Sequence, residues 1–188
     1  MRNDIMVDLE TLGVKDGATI FQIAAASFDL KTGEIHDEID LKLNISKVED
    51  LQVDGSTLKW WLNTDKELLT KLLHEGELTE AEMFTQFANW LGKHKSPKLW
   101  GNGILFDNAK IKQKFESMGL VYPVFYQHDR DVRTILDLAS SITGLSEREI
   151  RAKSKRDTDH DHNAIDDVRK QIRLVHYCYN LIKGRTIL

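Results

Sequence analysis

Three short groups of acidic and histidine residues have the types and spacing that metal-assisted chemistry requires. The first is Asp8-Leu9-Glu10, in which one residue separates two carboxylates. If this segment is a strand, residues i and i+2 point to the same face and the carboxylates converge. Oxygen ligands at this spacing suit Mg²⁺ or Mn²⁺, although two exposed acids at a strand end would have the same sequence.

The second group follows a pair of glycines. Gly101-Asn102-Gly103 is followed closely by Phe106-Asp107, and a helical pattern begins at about this point. Glycines let a ligand approach the backbone closely, and an acid near a helix N-terminus is favoured by the helix dipole. Asp107 is therefore either a capping residue or a further carboxylate of a site.

The third group, His162-Asn163-Ala164-Ile165-Asp166-Asp167, opens the last predicted helix. A histidine at a loop–helix junction can remove a proton from water, and Asp167 can reach the same metal. Simple capping of the helix by Asp161 or His162 is the alternative. The run Asp157–His162 suggests zinc, but it lacks the spaced ligands of zinc sites.

Hydrophobic periodicity predicts the elements that must position these groups. Strands are predicted at 5–10, 19–29 and 35–43, antiparallel, followed by a short strand at 98–101. Helices are predicted at 57–62 (N-cap Ser56), 65–73 (N-cap Thr64), after the capping box Thr79–Glu82, and at 108–118, 130–142 and 165–182. Gly144–Arg156 is predicted to be a mobile connection, and its basic part, Arg148–Arg156, could clamp a nucleic-acid backbone.

Composition limits the class of protein. The chain has 188 residues, 26 basic and 30 acidic, and a single cysteine, Cys178, so an internal disulfide and cysteine metal clusters are excluded. We expect one domain over residues 1–188, in a soluble, cytoplasmic protein, because no apolar run is long enough to span a membrane. A net charge of −4 argues against a protein that holds nucleic acid by net charge alone.

In combination and order, the three groups resemble the DEDDh family of 3′→5′ exonucleases. That resemblance implies an α/β, RNase H-like exonuclease fold, with a mixed central sheet, antiparallel first three strands and helices on both faces. Gly101–Asn108, Trp60-Trp61 and Arg130–Thr134 resemble one branch in particular. The branch contains phage exonucleases of the exonuclease A kind, exonuclease VIII-like proteins and a mycobacterial 3′→5′ exoribonuclease.

The resemblance also implies a role for each matching residue. Two divalent ions, Mg²⁺ or Mn²⁺, would be bound by four carboxylates, those of Asp8, Glu10, Asp107 and Asp167. His162 would be the general base. Substrate contacts would come from Thr11, Leu12, Phe106, Arg130 and Arg133. Trp60 and Trp61 should lie on different sides of a short helix, one in the core and the other near substrate.

The implied activity is hydrolysis of single-stranded nucleic acid from a free 3′ end, with release of nucleoside 5′-monophosphates. The resemblance to phage enzymes favours DNA modestly, with an exoribonuclease that trims RNA as the alternative. An RNase H-type endonuclease and a non-catalytic nucleic-acid-binding module on the same fold are further alternatives. A homodimer is also an expectation, because relatives often form dimers.

Overall fold

The chain folds around a five-stranded mixed sheet. The computed structural model describes residues 4–156 and 161–184. The strands are β1 (Asp4–Thr11), β2 (Ile20–Phe28), β3 (Ile35–Lys42), β4 (Lys98–Gly101) and β5 (Asp129–Asp131), in the order β3-β2-β1-β4-β5. β1 is antiparallel to β2, as β2 is to β3, whereas β4 runs parallel to both β1 and β5. The predicted antiparallel start of a mixed sheet is confirmed.

Seven α-helices cover the sheet in the described part of the chain. They are α1 (Gly55–Thr64), α2 (Lys66–His74), α3 (Glu80–Gly92), α4 (Asp107–Ser117), α5 (Val132–Thr143), α6 (Glu147–Ser154) and α7 (Ala164–Gly184). The predicted capping box starts α3, where the side chains and backbone of Thr79 and Glu82 bond reciprocally. Two single-turn 3₁₀ helices, at Ile45–Lys47 and Tyr126–His128, lie in the connections.

The alternation of side chains along β1 divides the core into two layers. Ile5 and Val7 pack in the layer formed with α1 to α4, whereas Met6 packs in the layer formed with α5 to α7. Strands pair with both edges of β1, and helices cover both of its faces. Asp8 and Glu10 continue the Met6 face, so the sequence period directs both acids towards α7.

Two predictions about the second half of the chain are wrong. The helix expected from Arg130 is preceded by the short strand β5, and α5 begins only at Val132. Three strand residues are too few to produce a readable period, and the pairing of Trp100 with Arg130 is what creates β5.

The connection expected to be mobile between Gly144 and Arg156 contains α6. A capping box of Ser146 and Glu149 begins this helix, and Ile150 is completely buried in the core formed with α5 and α7. One apolar anchor and a good cap are therefore enough to order a stretch whose other side chains are mostly polar.

The predicted caps of the first two helices are also wrong by one or two positions. α1 begins directly after Asp54 rather than after Ser56, and α2 begins directly after Asp65, whose carboxylate accepts a bond from the Leu68 N–H at 2.8 Å. Asp65 thus caps α2 with its carboxylate in place of the Thr64 hydroxyl, whereas the Asp54 carboxylate makes no hydrogen bond to α1 and instead accepts one from the Val14 N–H.

Cys178 lies on the buried face of α7, as expected of a small apolar residue, and burial raises the pKa of its thiol to about 11. None of the helices within the described ranges is long and apolar enough to cross a membrane. The residues 157–160, which suggested zinc, lie outside the described residues.

Candidate active site

Carboxylates from two different elements meet at the C-terminal end of β1. One oxygen each from Asp8, Glu10 and Asp167 lie within 4.8 Å of one another. Glu10 is buried, whereas Asp8 and Asp167 are half-buried at the edge of the same depression. Three hard oxygen ligands at this distance from one another can share a divalent cation.

Asp107 joins this group from the first turn of α4. The turn before it needs its glycines, since a Cβ on Gly101 would lie 2.5 Å from Oδ1 of Asn108. Gly103 has a φ of +119° and faces the guanidinium group of Arg133, 3.1 Å from a Cβ built at that position. The Gly-x-Gly spacing therefore lets the turn fold tightly enough to bring Asp107 beside β1.

His162 stands at the entrance to α7 in a conformation that non-glycine residues rarely adopt. Its φ is +66°, and its backbone N–H donates to Oδ2 of Asp167 at 2.9 Å. The imidazole meets the ring of Trp60 edge to face, with 4.8 Å between centroids. Sparsely populated backbone of this kind persists where surrounding contacts enforce it, which is common at functional sites.

A buried glutamine that sequence reasoning missed ties this loop to the sheet. Gln22 lies opposite Glu10 in the β1–β2 pairing and is fully buried. Its Nε2 donates to Oδ1 of Asp40 at 2.8 Å and to Oδ1 of Asn163 at 3.1 Å, while its Oε1 accepts the N–H of Ala164. These bonds fix the residues that directly follow His162.

Two further residues on α7 contact the acids. Gln171 donates from Nε2 to Oδ1 of Asp8 at 2.8 Å, and the ammonium of Lys170 binds Asp161 at 2.6 Å and also pairs with Asp167. Gln171 lies four residues after Asp167 and so shares its helix face. A polar residue at that spacing, within an otherwise apolar stripe, is the sequence signal that could have revealed it.

Burial raises the pKa values of all four acids, and the charges of neighbouring carboxylates raise those of Asp8 and Glu10 further. Burial and then the charges of neighbouring carboxylates raise the pKa of Asp8 well above its usual value and that of Glu10 to about 9. Burial raises the pKa of Asp107 to about 7, against the opposing effect of backbone hydrogen bonds and of Arg133. Burial also raises the pKa of Asp167, against the effect of Lys170. A site in which acids repel one another this strongly favours a cation.

An aromatic pocket of about 410 Å³ opens on one side of the acids. We use this name for the cavity whose walls include Glu10, Thr11, Trp60, Trp61 and Phe106. Trp61 is 1% exposed and belongs to the core, whereas Trp60 is 44% exposed. The sequence prediction that the two rings have different environments is therefore correct.

The predicted substrate residues near this pocket have different surroundings. The Thr11 hydroxyl donates to the Gly13 carbonyl at 2.8 Å, and Leu12 is buried in the core behind it. The half-buried ring of Phe106 lies under the ammonium of Lys110, 4.9 Å from its centroid. Thr11 and Phe106 thus line the pocket, and the side chain of Leu12 does not.

The two predicted arginines also differ. The guanidinium group of Arg130 donates to the backbone carbonyls of Gln127 and Asp129, so it binds its own loop. Arg133 lies over the Gly-x-Gly turn, close enough for its charge to lower the pKa of Asp107. The structure therefore brings Arg133, but not the Arg130 side chain, towards the acids.

A second cavity, of about 310 Å³, opens on the α6–α7 side of the acids. We call it the charged pocket; the ionisable residues in its lining are Arg151, Lys155, Asp161, Asp167 and Lys170. Gln171, which binds Asp8, and Asn102, from the Gly-x-Gly turn, also line it. The acids therefore lie between two cavities of very different character.

Several solved exonuclease structures share this architecture. The nuclease domain of 3′hExo, a DEDDh family member bound to rAMP, superposes with a TM-score of 0.62 at 14% identity, over 98% of this chain and 94% of that chain. The Mg²⁺- and Mn²⁺-bound form of S. pombe Pop2p gives 0.63 at 12% identity, over 100% of this chain and 86% of that one. The zinc-bound E. coli ExoI–ssDNA complex gives 0.64 at 18%, over 97% of this chain but 40% of that chain. These similarities confirm the RNase H-like exonuclease fold.

The sequence itself gives the family. A search of curated proteins finds no significant match. A family model for the 3′-5′ exoribonuclease Rv2179c-like domain, in contrast, matches residues 3–179 and so includes every residue of the acid cluster as well as His162. The chain therefore belongs to the Rv2179c-like family of 3′-5′ exoribonucleases, and it is a nuclease that hydrolyses phosphodiester bonds.

Proposed function

We propose that residues 1–188 form a single, metal-dependent, cytoplasmic 3′→5′ exonuclease domain that acts on single-stranded nucleic acid and releases nucleoside 5′-monophosphates. The observation that carries the proposal is the meeting of Asp8, Glu10 and Asp167 within 4.8 Å, beside a pocket with aromatic walls. The acids provide a place for chemistry on a phosphate, and the aromatic pocket provides one for the end of a chain.

Two divalent ions, Mg²⁺ or Mn²⁺, fit the donor set. Asp8, Glu10, Asp107 and Asp167 offer only oxygen ligands, and repulsion from neighbouring carboxylates helps to raise the pKa values of buried Asp8 and Glu10, which a bound cation would relieve. When bound, such ions supply positive charge to the phosphate oxygens and make water acidic enough to act as a nucleophile at neutral pH.

His162 acts as the general base in this proposal. The hydrogen bond from its backbone N–H to Asp167 holds the residue beside the acids, and the edge-to-face contact with Trp60 orients the imidazole ring. The imidazole takes the proton from the attacking water, while the carboxylates hold the positive charge that activates it. Gln22 and Gln171 position this machinery, the first through the His162 loop and the second through Asp8.

The terminal nucleoside occupies the aromatic pocket. Trp60 and Phe106 offer apolar surface on which any base can stack, so the contact tolerates every sequence. Thr11 and the backbone at Leu12 lie where the β1 strand ends, in reach of a terminal 3′-hydroxyl. Arg133, which lies over the Gly-x-Gly turn close to Asp107, provides charge for a phosphate, and Arg130 holds the backbone of the loop before α5.

The substrate of the proposed exonuclease is either RNA or DNA, and digestion of both, described below, decides between them. Membership of an exoribonuclease family supports RNA, whereas the resemblance to phage exonuclease A and exonuclease VIII-like proteins, also part of this proposal, supports DNA modestly. No described side chain is placed so that it clearly recognises a 2′-hydroxyl group.

We also propose that the protein forms a homodimer. The exposed side chains of Leu138 and Ile142 on α5 offer apolar surface for the contact, and light scattering measures the molar mass that tests it.

Digestion of end-labelled substrate tests the activity. Single-stranded RNA and DNA with a 5′ label are incubated separately with Mg²⁺ or Mn²⁺ and either the wild type or Asp8→Asn. We expect a ladder that shortens from the 3′ end with the wild type only, and nucleoside 5′-monophosphates as the product. Cleavage of a circular substrate would identify an endonuclease instead, and binding without cleavage would identify a non-catalytic module.

A further inference from the structure

We propose that the charged pocket binds the phosphate backbone of the nucleotides upstream of the scissile bond. The inference rests on the proposed function, because it takes the carboxylates as the position of the scissile phosphate. It adds a binding site for polynucleotide phosphates on α6 and α7. It also gives the polarity of the bound nucleic acid, which runs from the charged pocket to its 3′ end in the aromatic pocket.

The location of the pocket is the first argument. Its lining includes Asp167 and Gln171, whose side chains face the acid cluster, whereas the aromatic pocket begins at Glu10 on the other side of the same cluster. A terminal nucleoside in the aromatic pocket places its 5′-phosphate at the acids. The next sugar and phosphate must then leave on the opposite side, where the charged pocket opens.

The charge of the pocket is the second argument. Its lining carries three cations, Arg151, Lys155 and Lys170, against two acids, Asp161 and Asp167. Asp161 pairs with both lysines, at 3.7 Å and 2.6 Å, but Arg151 is in no ion pair within the described ranges. A guanidinium group has the planar geometry and permanent charge that bind a phosphate well.

The support of α6 is the third argument. Buried Ile150 and the Ser146–Glu149 capping box hold this helix against α5 and α7, so the adjacent Arg151 projects from a fixed element. Ser154 lies in the same lining as Arg151. At about 310 Å³, the cavity is at the lower end of the ~300–1,000 Å³ usual for ligand sites, which suits a sugar-phosphate segment.

A matched pair of charge removals tests the proposal. Arg151→Gln removes a cation from the pocket, whereas Lys153→Gln removes one from the same helix at a residue outside the pocket lining. Both are made in an Asp8→Asn background to prevent turnover, and the affinity for a fluorescein-labelled single-stranded ten-nucleotide oligomer is measured by anisotropy in Mg²⁺ over a range of salt concentrations. Circular dichroism checks that each variant is folded.

We expect Arg151→Gln to weaken binding about fivefold and to reduce the slope of log affinity against log salt by about 0.7, the value for one phosphate contact on a single strand. Arg151→Lys should restore most of that slope, because it restores the charge. Lys153→Gln should leave the slope close to that of its parent.

Equal losses of affinity in the Arg151→Gln and Lys153→Gln variants would overturn the proposal, since they would show only a general effect of surface charge. An unchanged slope for Arg151→Gln would overturn it as well, and so would the absence of measurable oligomer binding. The readout is independent of cleavage. If the wild type fails to shorten the substrate but the slope changes as expected, the proposed function fails and the phosphate site stands. If cleavage occurs and the slopes are equal, the phosphate site fails alone.

Discussion

The two pockets that flank the acids differ in almost every property. The aromatic pocket has walls of aromatic rings and apolar side chains and contains one acid, Glu10, at its inner edge. The charged pocket is lined by five ionisable side chains and only one large apolar residue, Leu174. The first suits the face of a base, and the second suits a sugar-phosphate backbone.

This difference explains how a chain with a net charge of −4 can act on a polyanion. The acidic side chains of the site meet where divalent ions would neutralise them, and three basic side chains, Arg151, Lys155 and Lys170, line the pocket where the strand would leave. The contrast also separates base stacking from ionic binding. The affinity contributed by phosphate contacts falls as the salt concentration rises, whereas that contributed by stacking changes much less. Substitutions in the acids should therefore affect both sides, whereas substitutions in one pocket should affect one.

The largest effect is expected from the carboxylates themselves. Asp8→Asn keeps the shape of the side chain but removes one charge from the site between the pockets. We expect kcat to fall by about 10³-fold or more, equally for RNA, DNA and a mononucleotide ester, because all depend on the same chemistry. Asp137→Asn, at an exposed position on α5, is the matched control. Activity equal to that of the Asp137 control would show that Asp8 has no part in the reaction.

The next largest effect is expected from the proposed base. His162→Ala should lower kcat about 10²- to 10⁴-fold, since the proton of the attacking water then has no nearby acceptor. Mn²⁺ affinity, measured by calorimetry, should change little. His74→Ala, at an exposed position on α2, serves as the control. A collapse of Mn²⁺ affinity in the His162 variant would make this residue a metal ligand instead.

A smaller effect is expected from the aromatic pocket. Trp60→Ala removes a half-exposed ring, so we expect KM to rise about tenfold, the size of one stacking interaction of ~1–3 kcal/mol, and kcat to fall by less, because the same ring contacts His162. The rise should be the same at low and high salt, in contrast to that of variants in the charged pocket. Leu62→Ala, an exposed apolar residue on the same helix, is the control. A salt-dependent rise would assign phosphate binding to this side as well.

The smallest expected effect is on stability and depends on pH. The pKa of Glu10 is raised from 4.5 to about 9, so its contribution to the stability of the metal-free protein is complete below about pH 4.5 and is lost as pH rises towards 9. Divalent ions bind the deprotonated carboxylates. Mn²⁺ should therefore raise the melting temperature by about 5–10 °C at pH 8 when well above its Kd, and by less at pH 5.5.

Scanning fluorimetry at the two pH values measures this difference. Glu10→Gln should flatten the pH dependence of the metal-free protein, because the side chain no longer titrates. An equal gain in melting temperature from Mn²⁺ at both pH values would show that the ions do not bind at Glu10.

The positions of site residues were predicted best where the hydrophobic period of the element also fixes the face on which those residues lie. The alternation of β1 places Met6, Asp8 and Glu10 on one face, which is enough to predict that the two carboxylates converge. The long apolar stripe of α7 similarly predicts the helix that carries Asp167. In both elements a strong local pattern and the tertiary packing point to the same structure.

The rest depends on contacts between distant parts of the chain. β5 exists through its pairing with β4, and α6 is held by the burial of a single side chain, Ile150, so neither has a strong pattern of its own. The bond from Gln22 to the loop that follows His162 joins residues more than 140 positions apart. Two local signals were present: the Ser146–Glu149 capping box at the start of α6, and Gln171, four residues after Asp167, which is visible once α7 is known to face β1.

The comparison of the two pockets has one direct test, the binding of a nucleoside 5′-monophosphate in the presence of Mn²⁺, measured by calorimetry on the wild type, Trp60→Ala and Arg151→Gln. If the terminal nucleoside lies in the aromatic pocket, Trp60→Ala should weaken this affinity about tenfold and clearly more than Arg151→Gln does. A larger loss in the Arg151 variant would reverse the direction of the strand and contradict the assignment of both pockets.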